Sequence, residues 1–323
     1  MTTTGGDALG QIAESTTAVG ADAGAKALAM VLETLRLDQV DEDTFRAGSL
    51  PWRPHRVYGG QVLAQSLLAA GATVDPARDP HSIHGYFLRA GEPGEPITLA
   101  VERLRDGRSF SARRTHAIQY GRPILSMISS FQERQPGVEH GIAMPDVPAP
   151  EDVPSVLEQF GSDDPRVRRF LSTAAFDLRH VTGALFGDRR RPPTDQQAVW
   201  MRARAPIDDS ALDAPLAEGG SPASSAVVHA ALLAFACDQI VLEPVMRRHG
   251  LRWLTPGLKV ASLDHAMWWH RPARADQWLL YVQASPSAQG ARGLGTASVF
   301  TEDGTLVASI AQEGMVRSPE FDD

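Results

Sequence analysis

One cysteine, Cys237, stands in a chain of 323 residues. No disulfide can form within the chain, and this usage fits a reducing cytoplasm. No apolar run approaches the ~18 residues that a membrane helix needs. The first residues are mostly Thr, Gly, Ala and Ser, without the basic-then-apolar order of a secretory signal. The expectation is a cytoplasmic protein with no membrane span. Lysine is almost missing, at Lys26 and Lys259 only, so arginine carries nearly all the positive charge. Acidic residues outnumber it, giving a formal net charge of -8. That balance argues against nucleic-acid binding, which needs a broad basic surface. No G-x-S-x-G nucleophile elbow occurs. No histidine is spaced with cysteine or carboxylate as a metal-ligand set. Neither a metal nor another cofactor is expected.

What is present is arranged as a repeat. The same separation of 180 residues joins Ser82 to Ser262 and Gln132 to Gln312. Between those ends the segments match in kind. Tyr86-Phe87-Leu88-Arg89 answers Trp268-Trp269-His270-Arg271, and Ile97 to Val101 answers Trp278 to Val282. Arg108 to Thr115 answers Arg292 to Ser298, and Ile124 to Ile128 answers Leu306 to Ile310. Strand, turn and strand at ~10-residue spacing describes a meandering antiparallel sheet. Phe176 to His180 and Val199 to Arg204 alternate as the first strands of the second sheet.

One apolar helix precedes each sheet. Gln61 to Ala70 follows Gly59-Gly60 and stops at Gly71; Val227 to Val241 follows a Ser-rich stretch and stops at Pro244. The second is apolar all round from Ala230 to Cys237, which requires burial on most sides. A five- or six-stranded antiparallel sheet wrapped around one buried helix is the hot-dog architecture. Two copies make an α+β double hot-dog. The expected boundaries are a flexible tail over 1–25, one hot-dog over 26–135, a connector over 136–170 and a second hot-dog over 171–323. Free sheet edges favour pairing, so a homodimer or homotetramer is expected.

Several residues could carry chemistry. Asp238 follows eight apolar residues on the second helix. A buried carboxylate needs partners or its pKa rises, which suits a general base; a helix-end aspartate reaching water is the other reading. Gln312 ends an apolar strand, where its amide holds either a water or a neighbouring strand. Gln132 takes the matching place in the first copy. Ser262 precedes Asp264-His265, whose side chains point to opposite faces of a strand. Gly59, Gly60 and Gln61 open the first helix, where free N–H groups suit an oxyanion. The arginines from Arg103 to Arg114, Arg108 and Arg113 among them, and Arg189-Arg190-Arg191 suit either phosphates or a solvated face. Cys237 reads as core.

Val57-Tyr58-Gly59-Gly60-Gln61-Val62, His81-Ser82-Ile83-His84-Gly85-Tyr86-Phe87-Leu88-Arg89 and Asp106-Gly107-Arg108-Ser109-Phe110-Ser111-Ala112-Arg113-Arg114 resemble the N-terminal half of type II (TesB-like) acyl-CoA thioesterases. Ser262-Leu263-Asp264-His265-Ala266-Met267-Trp268 and Gln312-Glu313-Gly314 resemble the C-terminal half. The resemblance runs from about Ala27 to Arg317. It implies the double hot-dog fold and hydrolysis of acyl-CoA to free acid and coenzyme A. It also implies a catalytic set of Asp238, Ser262 and Gln312 that holds a water, with the Gly60 helix start facing the oxyanion. From the basic cluster itself, Arg108 and Arg113 are expected to face the coenzyme A phosphates. A non-catalytic acyl-CoA-binding sensor on the same fold is the alternative. Gly161 to Gln197 departs from the family pattern.

Overall fold

A computed structural model describes residues 23–50, 56–160, 174–185, 193–208 and 224–321. Most of the N-terminal tail, and Arg189-Arg190-Arg191, lie outside the described residues. The N-terminal half holds helix α1 (23–34), β1 (Asp38–Asp41), β2 (Thr44–Ala47), helix α2 (Gly59–Gly71), β3 (Arg78–Phe87), β4 (Ile97–Asp106), β5 (Phe110–Gln119) and β6 (Arg122–Glu133). After a connecting stretch with one 3-10 turn (Pro150–Asp152) and the short α3 (Val156–Phe160) come β7 (Phe176–His180), β8 (Gln196–Ala203) and α4 (Ser225–Cys237). Then follow α5 (Glu243–Arg248), β9 (Lys259–Ser262), β10 (Asp264–Trp269), β11 (Leu279–Gln289), β12 (Arg292–Thr301) and β13 (Leu306–Arg317).

Two antiparallel sheets are fused edge to edge. The strand order is β1-β2-β4-β5-β6-β3-β10-β13-β12-β11-β8-β7, with β9 paired to β13. The seam is β3 against β10, centred on His84 opposite Ala266. Reading outward from the seam, each side lists its strands in the same order. This is the double hot-dog that the repeat predicts.

The repeat itself needs correcting. A bulge falls at His81 in β3 and at Leu263 between β9 and β10, so these mark one structural position 182 residues apart. Ile118 and Phe300 also match at 182, but Pro123 and Leu306 match at 183. One extra residue in the β12–β13 turn causes the change. It reverses the sequence parity of the last strand, and a one-residue slip moves a side chain to the other face. Gln312 is therefore fully buried, whereas Gln132 faces away from the helices, and Ser129 is the true counterpart of Gln312. The expected equivalence of Gln132 and Gln312 fails for this reason.

α2 packs on the strands of its own sheet, α5 packs on β8, β11 and β12, and the two long helices pack against each other. α4 buries Leu232, Leu233 and Phe235; α2 buries Leu63, Leu67 and Leu68. Each such side chain contributes ~1.5–3 kcal/mol relative to exposure. Ser224 caps α4 by accepting from Val227 N–H, which fixes the start of that helix. A Cβ on Gly60 would meet the Phe235 carbonyl, and one on Gly71 would meet Val227. The start of α2 thus lies at the end of α4, and the reverse, so the helices run antiparallel. Gly71 serves this packing, since the next residue stays right-handed instead of taking a left-handed cap. α4 also ends earlier than its sequence suggests, at Cys237, and Pro244 starts α5 instead of stopping α4.

Candidate active site

Asp238 is the residue that ends α4. A carboxylate at a helix C-terminus meets the negative end of that helix dipole. The antiparallel arrangement supplies the remedy. The first turn of α2 points its free N–H groups at the same place, and Gly60 N–H donates to Asp238 Oδ2 at 2.8 Å. Glycine permits this approach, because a Cβ there would sit 2.4 Å from the Phe235 carbonyl oxygen. Tyr58 donates its hydroxyl to the same carbonyl at 2.6 Å.

The other carboxylate oxygen joins the C-terminal sheet. Ser262 Oγ donates to Asp238 Oδ1 at 2.9 Å. Gln312 Nε2 donates to Asp238 Oδ1 at 3.0 Å and to Ser262 Oγ at 2.8 Å. β9 pairs with β13 so that Ser262 lies opposite Gly314, two residues from Gln312. The three residues expected to act together are thus mutually hydrogen-bonded. Asp238, Ser262 and Gly59 line a cavity of about 800 Å³. Gln312 stands behind them, fully buried, with both N–H bonds given to Asp238 and Ser262.

The cavity walls are largely apolar, with Val31, Leu50, Phe87 and Ile240 among them. Glu243 also borders it. Burial pushes the Glu243 carboxyl up, but His180, Trp253 and Gln197 outweigh that and hold it below its ordinary range. Its oxygens take hydrogen bonds from Trp253 Nε1 at 2.8 Å and Gln197 Nε2 at 2.9 Å, and His180 Nε2 lies at 2.9 Å. This carboxylate is fully engaged in holding the wall.

Four sequence expectations change here. Gly60 N–H is already bonded to Asp238, so it is not an open oxyanion donor. The Gln61 side chain faces away from the cavity, bonded to Leu50 N–H, the Gly48 carbonyl and Gln65. Arg113 is 1 % exposed and spends its donors on Thr73, Asp106 and the carbonyls of Arg105 and Ala112. It has no donor left for a phosphate. Arg108 is exposed on the β4–β5 turn and does not border the cavity. Among the described residues, the arginines that border it are Arg56 and Arg89, both exposed, each anchored to a backbone carbonyl.

Cys237 is buried, and burial and the charge of Asp238 raise its pKa well above the ordinary value. It stays a thiol, which removes it as a nucleophile. His265, which the sequence reading set aside, is buried beside it and touches Gln312. The signal was available: alternation along β10 turns His265 inward, one step beyond the pair Ala266 and Ala311, and hence toward Gln312.

Two fused sheets around paired antiparallel helices define a double hot-dog protein. A family profile described as "Acyl-CoA thioesterase" matches residues 208–315, and one described as "Acyl-CoA thioesterase N-terminal domain" matches residues 49–132. The chain is 34% identical over 301 residues to acyl-coenzyme A thioesterase 8 of Homo sapiens, covering 89% of each. It is 33% identical to acyl-CoA thioesterase 2 of Haemophilus influenzae, covering 90% of this chain and 98% of that one. The solved structure of acyl-CoA thioesterase II TesB2 from Mycobacterium marinum is 40% identical, with a TM-score of 0.71 over 90% of this chain and 98% of that chain. The chain belongs to the acyl-CoA thioesterase family, and it is a hydrolase of acyl-CoA thioesters. Nothing in these likenesses favours a non-catalytic sensor.

Proposed function

We propose that Asp238 is the general base of this thioesterase and that Ser262 shares with it the attacking water. The observation that carries this reading is the closed set of hydrogen bonds among Asp238, Ser262 and Gln312 at the wall of an acyl-sized cavity. Each carboxylate oxygen accepts two hydrogen bonds, and Asp238 Oδ2 has one accounted for by Gly60. A water entering there donates to Asp238 and to Ser262 Oγ. Proton loss to Asp238 and attack on the thioester carbon follow in one step. Gln312 acts from behind, fixing both partners and not the water itself. The developing oxyanion is met by first-turn N–H groups of α2 other than that of Gly60, with Gly59 at the cavity wall. Thiolate leaves without a strong acid.

Arg56 and Arg89 take the place first given to Arg108 and Arg113 as partners of the coenzyme A phosphates. The acyl chain occupies the apolar wall. The protein works in the cytoplasm as a homodimer or homotetramer, whose contacts form at free edges of the sheet, β1 and β7. The division at 26–135, 136–170 and 171–323 describes its units. Thiol release from a panel of acyl-CoAs by wild type and Asp238→Asn tests the centre of this reading. The expected loss in the variant is ~100-fold or more. Full activity in folded Asp238→Asn removes Asp238 as the base.

A further inference from the structure

Gln312 has a problem that Asp238 and Ser262 do not. Its side chain ends in an oxygen and a nitrogen of nearly equal size. Only one orientation works here, with the nitrogen facing the carboxylate and the hydroxyl. Turned over, its oxygen would face the Asp238 carboxylate and repel it. Gln312 sits on a strand, fully buried, and its own backbone does not select between the two orientations. Asp238 opposes the flip from one side, and His265 stands on the other.

His265 Nδ1 lies 2.5 Å from Gln312 Oε1. An amide oxygen only accepts, so Nδ1 carries the hydrogen. The ring's other nitrogen, Nε2, faces the Cys237 thiol at 3.7 Å. His265 is 1 % exposed. We propose that His265 is a positioning residue for thioester hydrolysis: as the neutral Nδ1–H tautomer it locks the Gln312 amide in the one orientation that serves Asp238 and Ser262. The proposal rests on the assignment of Asp238, Ser262 and Gln312 made above.

The surroundings agree with a neutral ring. Burial lowers the His265 pKa, and the opposing pulls of Gln312, Asp238 and Asp264 do not overcome it. The Cys237 thiol keeps its proton, so it offers Nε2 no negative charge to hold an imidazolium. Asp264 is turned to the other side, where its carboxylate accepts from Glu313 N–H at 2.7 Å. The counterpart of His265 in the N-terminal half, at the 182-residue spacing, is Ile83, and that of Gln312 is Ser129. The half without the amide also lacks the ring that would orient it.

Wild type, His265→Leu, His265→Asn and Gln312→Ala are compared for kcat and KM on one acyl-CoA, with melting temperatures recorded. Leucine fills the space without a donor. Asparagine restores an N–H near Nδ1. The expected result is a kcat loss of ~10- to 100-fold in His265→Leu with KM unchanged, and recovery to within a few-fold in His265→Asn. Long-range ¹⁵N–¹H spectra of the wild-type imidazole should show the Nδ1–H tautomer at neutral pH, a readout that needs no variant to fold. An Nε2–H tautomer overturns the proposal. So does a folded His265→Leu enzyme with wild-type kcat, if Gln312→Ala is impaired. Activity that survives in Gln312→Ala overturns the site assignment and this proposal together.

Discussion

The two halves of the chain fill the same space by opposite means. Where β5 carries Arg113, β12 carries Gly295 at the matching position. In the N-terminal half the long Arg113 side chain reaches in and binds the Thr73 carbonyl beyond the end of α2. In the C-terminal half a Cβ on Gly295 would lie 2.0 Å from the Val241 carbonyl oxygen. There the backbone after α4 fills the concavity, and it brings Asp238 and α5 with it. One half closes its helix end with a side chain. The other closes it with main chain and gains a wall for the cavity. The comparison teaches that the half proposed to be active differs in where its chain goes after the helix, since both sheets list their strands in the same order.

The sharpest way to break the contrast is to put the N-terminal solution into the C-terminal half. Gly295→Arg has no room, and the Val241 backbone must move. A loss above ~3 kcal/mol or failure to fold is expected from overpacking, read by chemical denaturation. Serine exchange separates the halves by function. Ser262→Ala should lower kcat by ~10- to 100-fold. Ser129→Ala should leave kcat within two-fold and hold or raise the melting temperature, because Ser129 Oγ is buried without a partner among the described residues. Thiol-release kinetics on both variants gives the answer, and equal losses would erase the asymmetry.

A smaller effect is expected from Arg113→Met. It removes a buried guanidinium from Thr73 and from Asp106, which is itself half exposed. A loss of ~2 kcal/mol with unchanged kcat and KM fits a structural arginine. A raised KM for acyl-CoA would return Arg113 to the phosphates. The smallest effect concerns acid. The folded pKa of His265 is lowered from 6.5, so the unfolded chain binds its proton more readily. Its contribution to stability is complete above pH 6.5 and is lost as pH falls toward the folded value. Melting temperatures of wild type and His265→Asn should therefore converge as pH drops below 6.5, and parallel curves would contradict it.

Much of this was legible in the sequence. Apolar alternation gives most of the strands, and the all-apolar run from Ala230 to Cys237 gives the buried helix. Asp238 was visible as a charge at the end of that run. Other features depend on register. One inserted residue between β12 and β13 defeats a constant repeat spacing, and only strand pairing reveals it. Arg113 looked like part of a surface cluster because its neighbours are charged. The alternation of Ser111, Arg113 and Thr115 on one face was the overlooked signal. Gln61 opens a helix at a promising place, yet its side chain direction is set by Leu50 and Gly48, which no local pattern discloses. Arg56 and Arg89 become neighbours of one cavity only when the chain folds.

The bond from Gly60 N–H to Asp238 has one more consequence. The acid comes from one half of the polypeptide and its anchor from the other. Two separate, identical hot-dog subunits related by a two-fold axis would necessarily build this junction twice. A fused chain is released from that symmetry. The second junction, at the end of α2, is a plain joint in which Ala72 ends the helix where Asp238 ends the other. With Asp238 as the proposed base, the centre draws on both halves of its own molecule.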